Sequence, residues 1–169
     1  EPFIQEALQY DERIIIEENI IGREIECSVL GDLNPIVSLP GEIETTHEFY
    51  SYEAKYLDPG SSKYYIPAML ESLVIKKIQK LALESYKQLR CEGMARIDFF
   101  LKPNGEILIN ELNTIPGFTS TSLYPVLWKA SGISYTELLD RLIDLALDRH
   151  KKKEKLENNF HLSYCLKNG

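Results

Sequence analysis

Residues 93–117 read GMARIDFFLKPNGEILINELNTIPG. Two apolar runs flank Asn104-Gly105, which spells a β-hairpin, because this dipeptide supplies the two positive φ angles of a type I′ turn. With those two residues as the loop, Asp98 faces Glu111, Arg96 faces Asn113 and Phe100 faces Ile109 on one side of the sheet, since side chains alternate with period two. Ile97 with Leu112 and Leu101 with Leu108 then form the core side. A three-residue loop would shift the pairing by one and destroy this arrangement.

Two carboxylates directly opposite each other have Cβ atoms about 5 Å apart and repel. Something positive must compensate, and two readings stand. In one, Asp98, Glu111 and the amide oxygen of Asn113 are hard ligands for Mg²⁺ carrying substrate phosphates, with Arg96 as a fixed cation for an oxyanion. In the other, Arg96 simply bridges both acids on a solvated sheet face. The Pro116-Gly117 turn just beyond can present backbone N–H groups to an anion, which favours the first.

Outward from the hairpin, the chain predicts an α+β fold, a mainly antiparallel sheet flanked by helices. Upstream, Phe3 to Tyr10 reads as a helix end, and the β-branched run Arg13 to Glu18 as a strand turning at Gly22. Residues 24–31 alternate partly at period two, and Ile36 to Leu39 resembles a further short strand. These runs follow one another without helices between them, so antiparallel pairing is expected. Residues 44–69 read as a long polar loop holding five of the ten tyrosines, a length that points to function. Leu70 to Leu89 carries a helical apolar stripe, with Gly93 closing it. Downstream, a loop over 116–121 precedes a short helix to Ala130, and Ser134-Tyr-Thr-Glu137 is a capping box that starts a helix reaching about Arg149. The expected organisation is one folded unit over 1–149 and a polar, basic, weakly ordered tail over 150–169.

The 169 residues suffice for one domain with a real core, or for a large piece of a bigger one. Residues 1–149 hold 14 Lys and Arg against 24 Asp and Glu, a surface that repels phosphate backbones, which argues against a nucleic-acid binder and disfavours a two-metal nuclease built on the acidic pair. Three scattered cysteines without C-x-x-C spacing read as thiols in a reducing compartment. With no signal peptide and no bilayer-spanning apolar run, the expectation is a cytoplasmic protein without membrane contact.

"ARIDFFL" and "NELNTIPGFTSTSLYP", with "IEENIIGREIECSVLG" and "FYSYEAKY" upstream, resemble the D-alanine-D-alanine ligase family of the ATP-grasp fold. The four motifs occur in family order over residues 16–125. The resemblance implies an ATP-dependent enzyme joining two D-alanines through an acyl phosphate for peptidoglycan precursors, with two Mg²⁺ or Mn²⁺ ions held by Asp98, Glu111 and Asn113. Arg96 and the N–H of Gly117 would stabilise the tetrahedral intermediate, and Ser122 and Leu123 would receive the carboxylate of the second D-alanine. Glu17 and the backbone of Glu18, Asn19 and Ile20 would hold adenine, Glu24 the ribose, and Lys55 a phosphate, while Tyr56 would shape the second amino-acid subsite. Residues 44–69 would be the lid that shields the acyl phosphate.

Bland alternatives stand beside these roles. Glu17 and Glu24 can be ordinary solvent-facing residues, Lys55 a surface lysine, and Ser122 an N-cap. The family pattern also includes an N-terminal domain, two ATP-contacting lysines and a Gly/Ser-rich phosphate loop that this sequence lacks. The expectation is therefore the C-terminal part of a homodimeric ligase, with residues 1–149 a partial ATP-grasp made of the end of the central domain plus the C-terminal domain, completed by an N-terminal part and inactive without it. Alternatives are a D-alanine-D-lactate or D-alanine-D-serine ligase of the same family, or a non-catalytic metal- or nucleotide-binding fragment.

Overall fold

The computed structural model describes residues 2–45, 62–119 and 121–156. Helix α1 (Pro2–Ala7) leads through irregular chain into β1 (Arg23–Leu30), β2 (Ile36–Val37), β3 (Gly41–Thr45) and β4 (Ser62–Tyr65). Then follow α2 (Ser72–Gln88), β5 (Met94–Leu101), β6 (Ile107–Asn113), α3 (Leu123–Ala130) and α4 (Tyr135–Glu154). The sheet runs β4-β3-β1-β5-β6, with β2 paired to β1, and all these pairings are antiparallel. Among the described residues no helix is long and apolar enough to cross a membrane.

The period-two pattern of β5 divides the sheet into two faces. Ala95, Ile97, Phe99 and Leu101 are buried with Ile25, Cys27 and Val29 of β1, beneath Ile78, Ala82 and Tyr86 of α2. A second cluster, Leu30, Tyr124, Trp128, Ile133 and Leu138, fastens α3 and α4 to the end of β1. The Tyr124 hydroxyl donates to the Val29 carbonyl at 3.0 Å and that of Tyr86 to the Gly31 carbonyl at 2.7 Å, so both rings are anchored at their polar ends.

The hairpin differs from its expected turn, and the difference cancels itself. Gly105 N–H donates to Lys102 O and Lys102 N–H to Glu106 O, so the loop is the three residues Pro103, Asn104 and Gly105. Only Gly105 has positive φ, at 84°, the pattern of a type I turn followed by a left-handed glycine, which Pro103 at the first turn position favours. From this loop Leu101 pairs with Ile107, Phe100 with Leu108 and Phe99 with Ile109, one residue out of the expected register. A bulge at Asn110 then restores it, and Asp98 meets Glu111, Ile97 meets Leu112 and Arg96 meets Asn113 as expected.

Four other expectations change. Arg13 to Glu18 is not a strand; Ile15 and Ile16 are 85% and 75% exposed, and β-branched residues alone do not make a strand without a neighbouring one to pair with. The segment expected as loop over 44–69 contributes β4, which pairs with β3, while residues 46–61 lie outside the described residues. α2 is closed by Arg90 rather than Gly93: Arg90 has φ 52°, and Cys91 N–H reaches back to Tyr86 O. α4 begins at the expected cap, where Ser134 Oγ accepts from Glu137 N–H at 3.2 Å, but Glu137 turns its own carboxylate to Arg141. It continues to Glu154, five residues beyond the expected end, because a Lys-rich last turn suits a helix C-terminus even without an apolar stripe.

Candidate functional site

Three antiparallel strands, β1, β5 and β6, project their non-core side chains in rows across the sheet. Ser28, Arg96 and Asn113 form one row, Glu26, Asp98 and Glu111 the next, and Glu24, Phe100 and Leu108 the third. A small cleft of about 80 Å³ lies over these rows, lined by Glu24, Glu26, Arg96, Asp98, Phe100, Asn110 and Glu111 among others. Ligand pockets commonly span roughly 300–1,000 Å³, so the cleft suits the charged end of a ligand and not a whole nucleotide.

Arg96 is the hub. Its Nε and Nη2 donate to Asp98 Oδ1 and Oδ2 at 2.8 and 2.7 Å, a two-pronged pair, and its Nε also lies 2.8 Å from Glu26 Oε2. Glu111 Oε1 is 4.0 Å from Nη2. The Arg96, Glu26 and Asp98 side chains are 11%, 7% and 13% exposed and that of Glu111 55%, so Arg96 bridges both acids, as the bland alternative supposed, but from a largely buried position. Burial opposes the charged guanidinium, but the hydrogen bond to Asp98 and the charges of Glu26, Asp98 and Glu111 outweigh it and raise its pKa. Even so, among the described residues that line the cleft, Glu24, Glu26, Asp98 and Glu111 stand against the single cation Arg96. Among these described residues the acids outnumber the cation, and the lining suits a further cation.

Asn113 donates its amide N–H to Glu111 Oε1 at 3.0 Å, which spends the nitrogen and not the carbonyl oxygen. Among the described residues, no group of three or more His, Cys, Asp or Glu is placed to hold a metal ion. The donor set offered here is instead two carboxylates and an amide.

Of the other sequence-derived residues, only Glu24 is in the cleft lining among the described ones. Gly117 packs against Ser122, where an added Cβ would come within 2.9 Å of the hydroxyl. Ser122 occupies the N-cap position of α3, yet its Oγ makes no capping bond; it accepts from Thr119 N–H at 3.0 Å and contacts the Thr119 hydroxyl at 2.8 Å. Leu123 is buried at the first turn of α3. Glu17, Glu18, Asn19 and Ile20 fall in the irregular chain before β1 and do not line the cleft, whereas Glu24 does. Lys55 and Tyr56 lie outside the described residues.

Sequence reasoning passed over Glu26, Ser28 and Asn110. The alternation in Arg23–Leu30 already put Glu24, Glu26 and Ser28 on one face. What was missing is that β1 lies beside β5. Asn110 carries no local signal, because the bulge exists only to reconcile the loop with the row of acids.

The family model described as D-ala D-ala ligase C-terminus matches residues 1–144. The chain is 51% identical over 156 residues to the D-alanine–D-alanine ligase of Oceanobacillus iheyensis, an alignment covering 92% of this chain and 43% of that protein. The crystal structure of the D-alanine–D-alanine ligase from Bacillus anthracis complexed with ATP superposes with a TM-score of 0.73 at 33% identity, over 90% of this chain and 48% of that one. The VanG D-Ala:D-Ser ligase from Enterococcus faecalis superposes with a TM-score of 0.67 at 47% identity, over 76% of this chain and 37% of that one. The chain thus spans about two fifths of the length of the curated relative it matches.

Proposed function

The chain belongs to the D-ala D-ala ligase C-terminus family, and from that premise we propose that it forms the metal-binding and second-substrate part of an ATP-dependent D-alanine–D-alanine ligase. The observation that carries this reading is the row Asp98–Glu111 beside Arg96–Asn113, facing a cleft with excess negative charge. The reading is supported by relatives named for that activity and by the ATP complex of one of them.

The residues present fit a divalent cation. Each Asp98 oxygen accepts one N–H from Arg96 and keeps a lone pair. Glu111 is 55% exposed and open to the cleft, and Asn113 keeps its carbonyl oxygen available. Mg²⁺ commonly takes one or two carboxylates and completes its shell with waters and substrate phosphates, so a third acidic ligand is not required. Asp98, Glu111 and Asn113 would hold it, and when bound it would neutralise charge accumulating on the phosphates. Arg96 would hold a fixed positive charge beside the reacting carboxyl carbon, where an oxyanion forms as the amine of the second amino acid attacks the acyl phosphate. The Gly117 N–H would share that role. Ser122 and Leu123, at the start of α3, would receive the carboxylate of the incoming amino acid through its N-terminal N–H groups, and Glu24 would hold the ribose.

In the intact ligase, Asp98→Asn and Glu111→Gln are expected to lower Mg²⁺-dependent dipeptide formation by about 100-fold or more, the upper end of what even an outer partner of a metal is worth, with the melting temperature kept. Retained turnover in both variants would overturn the metal reading. The 169-residue chain alone is expected to show no dipeptide synthesis, and phosphate release with D-alanine by that chain would refute this.

The similarity to the D-Ala:D-Ser ligase supports a second reading, in which D-serine is the incoming amino acid. Competing D-alanine, D-serine and D-lactate as second substrates in one assay separates the readings by which product forms.

A further inference from the structure

We propose that Glu26 is a positioning residue: it is the standing counter-ion of Arg96, so that the Asp98 carboxylate can turn to a divalent cation without stranding a buried guanidinium. The proposal rests on the reading that Asp98 and Glu111 bind metal, and it concerns a residue outside that ligand set.

Glu26, Asp98 and Glu111 lie in one row across β1, β5 and β6. Neighbouring strands are about 4.8 Å apart, so Glu26 and Glu111 stand roughly 10 Å from each other, on opposite sides of Asp98. Glu26 is therefore poorly placed to share an ion with Glu111, and its side chain turns to Arg96. The Nε of Arg96 lies 2.8 Å from Glu26 Oε2 and 2.8 Å from Asp98 Oδ1, and its one hydrogen is directed at Asp98. Two carboxylates thus compete for one donor. With Asp98 as its sole counter-ion, a guanidinium only 11% exposed would resist giving Asp98 up, because an unpaired buried charge is costly. A second acid on the far side makes the exchange possible: Asp98 leaves toward Glu111, and Glu26 keeps Arg96 charged and in place. Glu26 also adds negative charge to the row, which favours the dication directly.

The test is Mn²⁺ binding to the intact ligase in the presence of ADP, followed by the paramagnetic signal of free Mn²⁺, for wild type, Glu26→Gln, Glu26→Asp and Asp98→Asn. Glu26→Gln keeps the shape and loses the charge, and it is expected to weaken Mn²⁺ binding about 10-fold or more, as an outer partner of a metal ligand should. ADP binding without metal should stay unchanged, and Glu26→Asp, which retains the charge, should lie close to wild type. If Glu26→Gln binds Mn²⁺ as tightly as wild type and merely melts earlier, Glu26 is structural and the proposal fails. If Asp98→Asn also binds Mn²⁺ as wild type does, the metal reading fails and takes the proposal with it.

Discussion

Arg96 holds two buried acids at once, and removing it isolates both. Arg96→Met is expected to destabilise the chain by about 3 kcal/mol or more, because the buried acids Glu26 and Asp98 would lose the guanidinium they share. Urea unfolding of wild type and variant checks this, and a loss below 1 kcal/mol, about the worth of an exposed ion pair, would contradict it. The exposed pair Lys80–Glu84 on α2 provides the contrast: with side chains 74% and 55% exposed, it should be lost almost without effect. At this scale the sequence was informative for Arg96, Asp98, Glu111 and Asn113, since a period-two pattern within one hairpin settles which residues share a face. Glu26 escaped because its importance depends on a neighbour seventy residues away.

The hairpin shows how an element can reach an expected end by an unexpected route. A three-residue loop offsets the register by one, and the bulge at Asn110 returns it before the acids are reached. The two turn residues can be told apart by substitution. Gly105 has φ 84° and open space around its missing Cβ, so Gly105→Ala should cost about 1 kcal/mol from backbone conformation alone. Asn104 lies outside the left-handed region and contributes only a hydrogen bond to Glu106 N–H at 3.0 Å. Asn104→Ala should therefore cost less than Gly105→Ala, whereas a type I′ turn would penalise both alike. Thermal or urea unfolding of the two variants decides between the turns. The Asn-Gly dipeptide led to the wrong turn because Pro103 before it fixes φ near −65° and pre-organises a type I turn. A similar override closes α2, where Arg90 takes the left-handed conformation ahead of Gly93.

For the whole molecule, the sheet presses one face onto α2 and turns the other, with its row of acids, to the cleft, and the buried face carries a titratable group. Burial pushes the Cys27 thiol up to about 12, opposed only weakly by Ser38 and the backbone of Ser28. In the unfolded chain this thiol ionises near pH 9, so its contribution to stability is complete below that pH and is lost as pH rises toward 12. Burial likewise raises Tyr86 and Tyr124, so the fold should weaken under alkaline conditions by a few kcal/mol, each unit of pKa difference being worth about 1.4 kcal/mol. Urea midpoints at neutral and alkaline pH measure the slope, and Cys27→Ala should flatten it; an unchanged slope would show that Cys27 has no part in it. Apolar side chains are left outside this core, at Ile15, Ile16 and Ile21 before β1 and at Leu139, Ile143 and Leu147 along α4. By itself the sequence determined the fold class, the main helices, the Ser134 cap of α4, and the face shared by Arg96, Asp98, Glu111 and Asn113, because periodicity is local. Only the tertiary structure decided that β1 lies beside β5, that β3 and β4 extend the sheet, that Arg13 to Glu18 stays unpaired, and that Glu26 reaches Arg96. Those outcomes depend on which distant strands meet, and no local pattern in the chain encodes that choice.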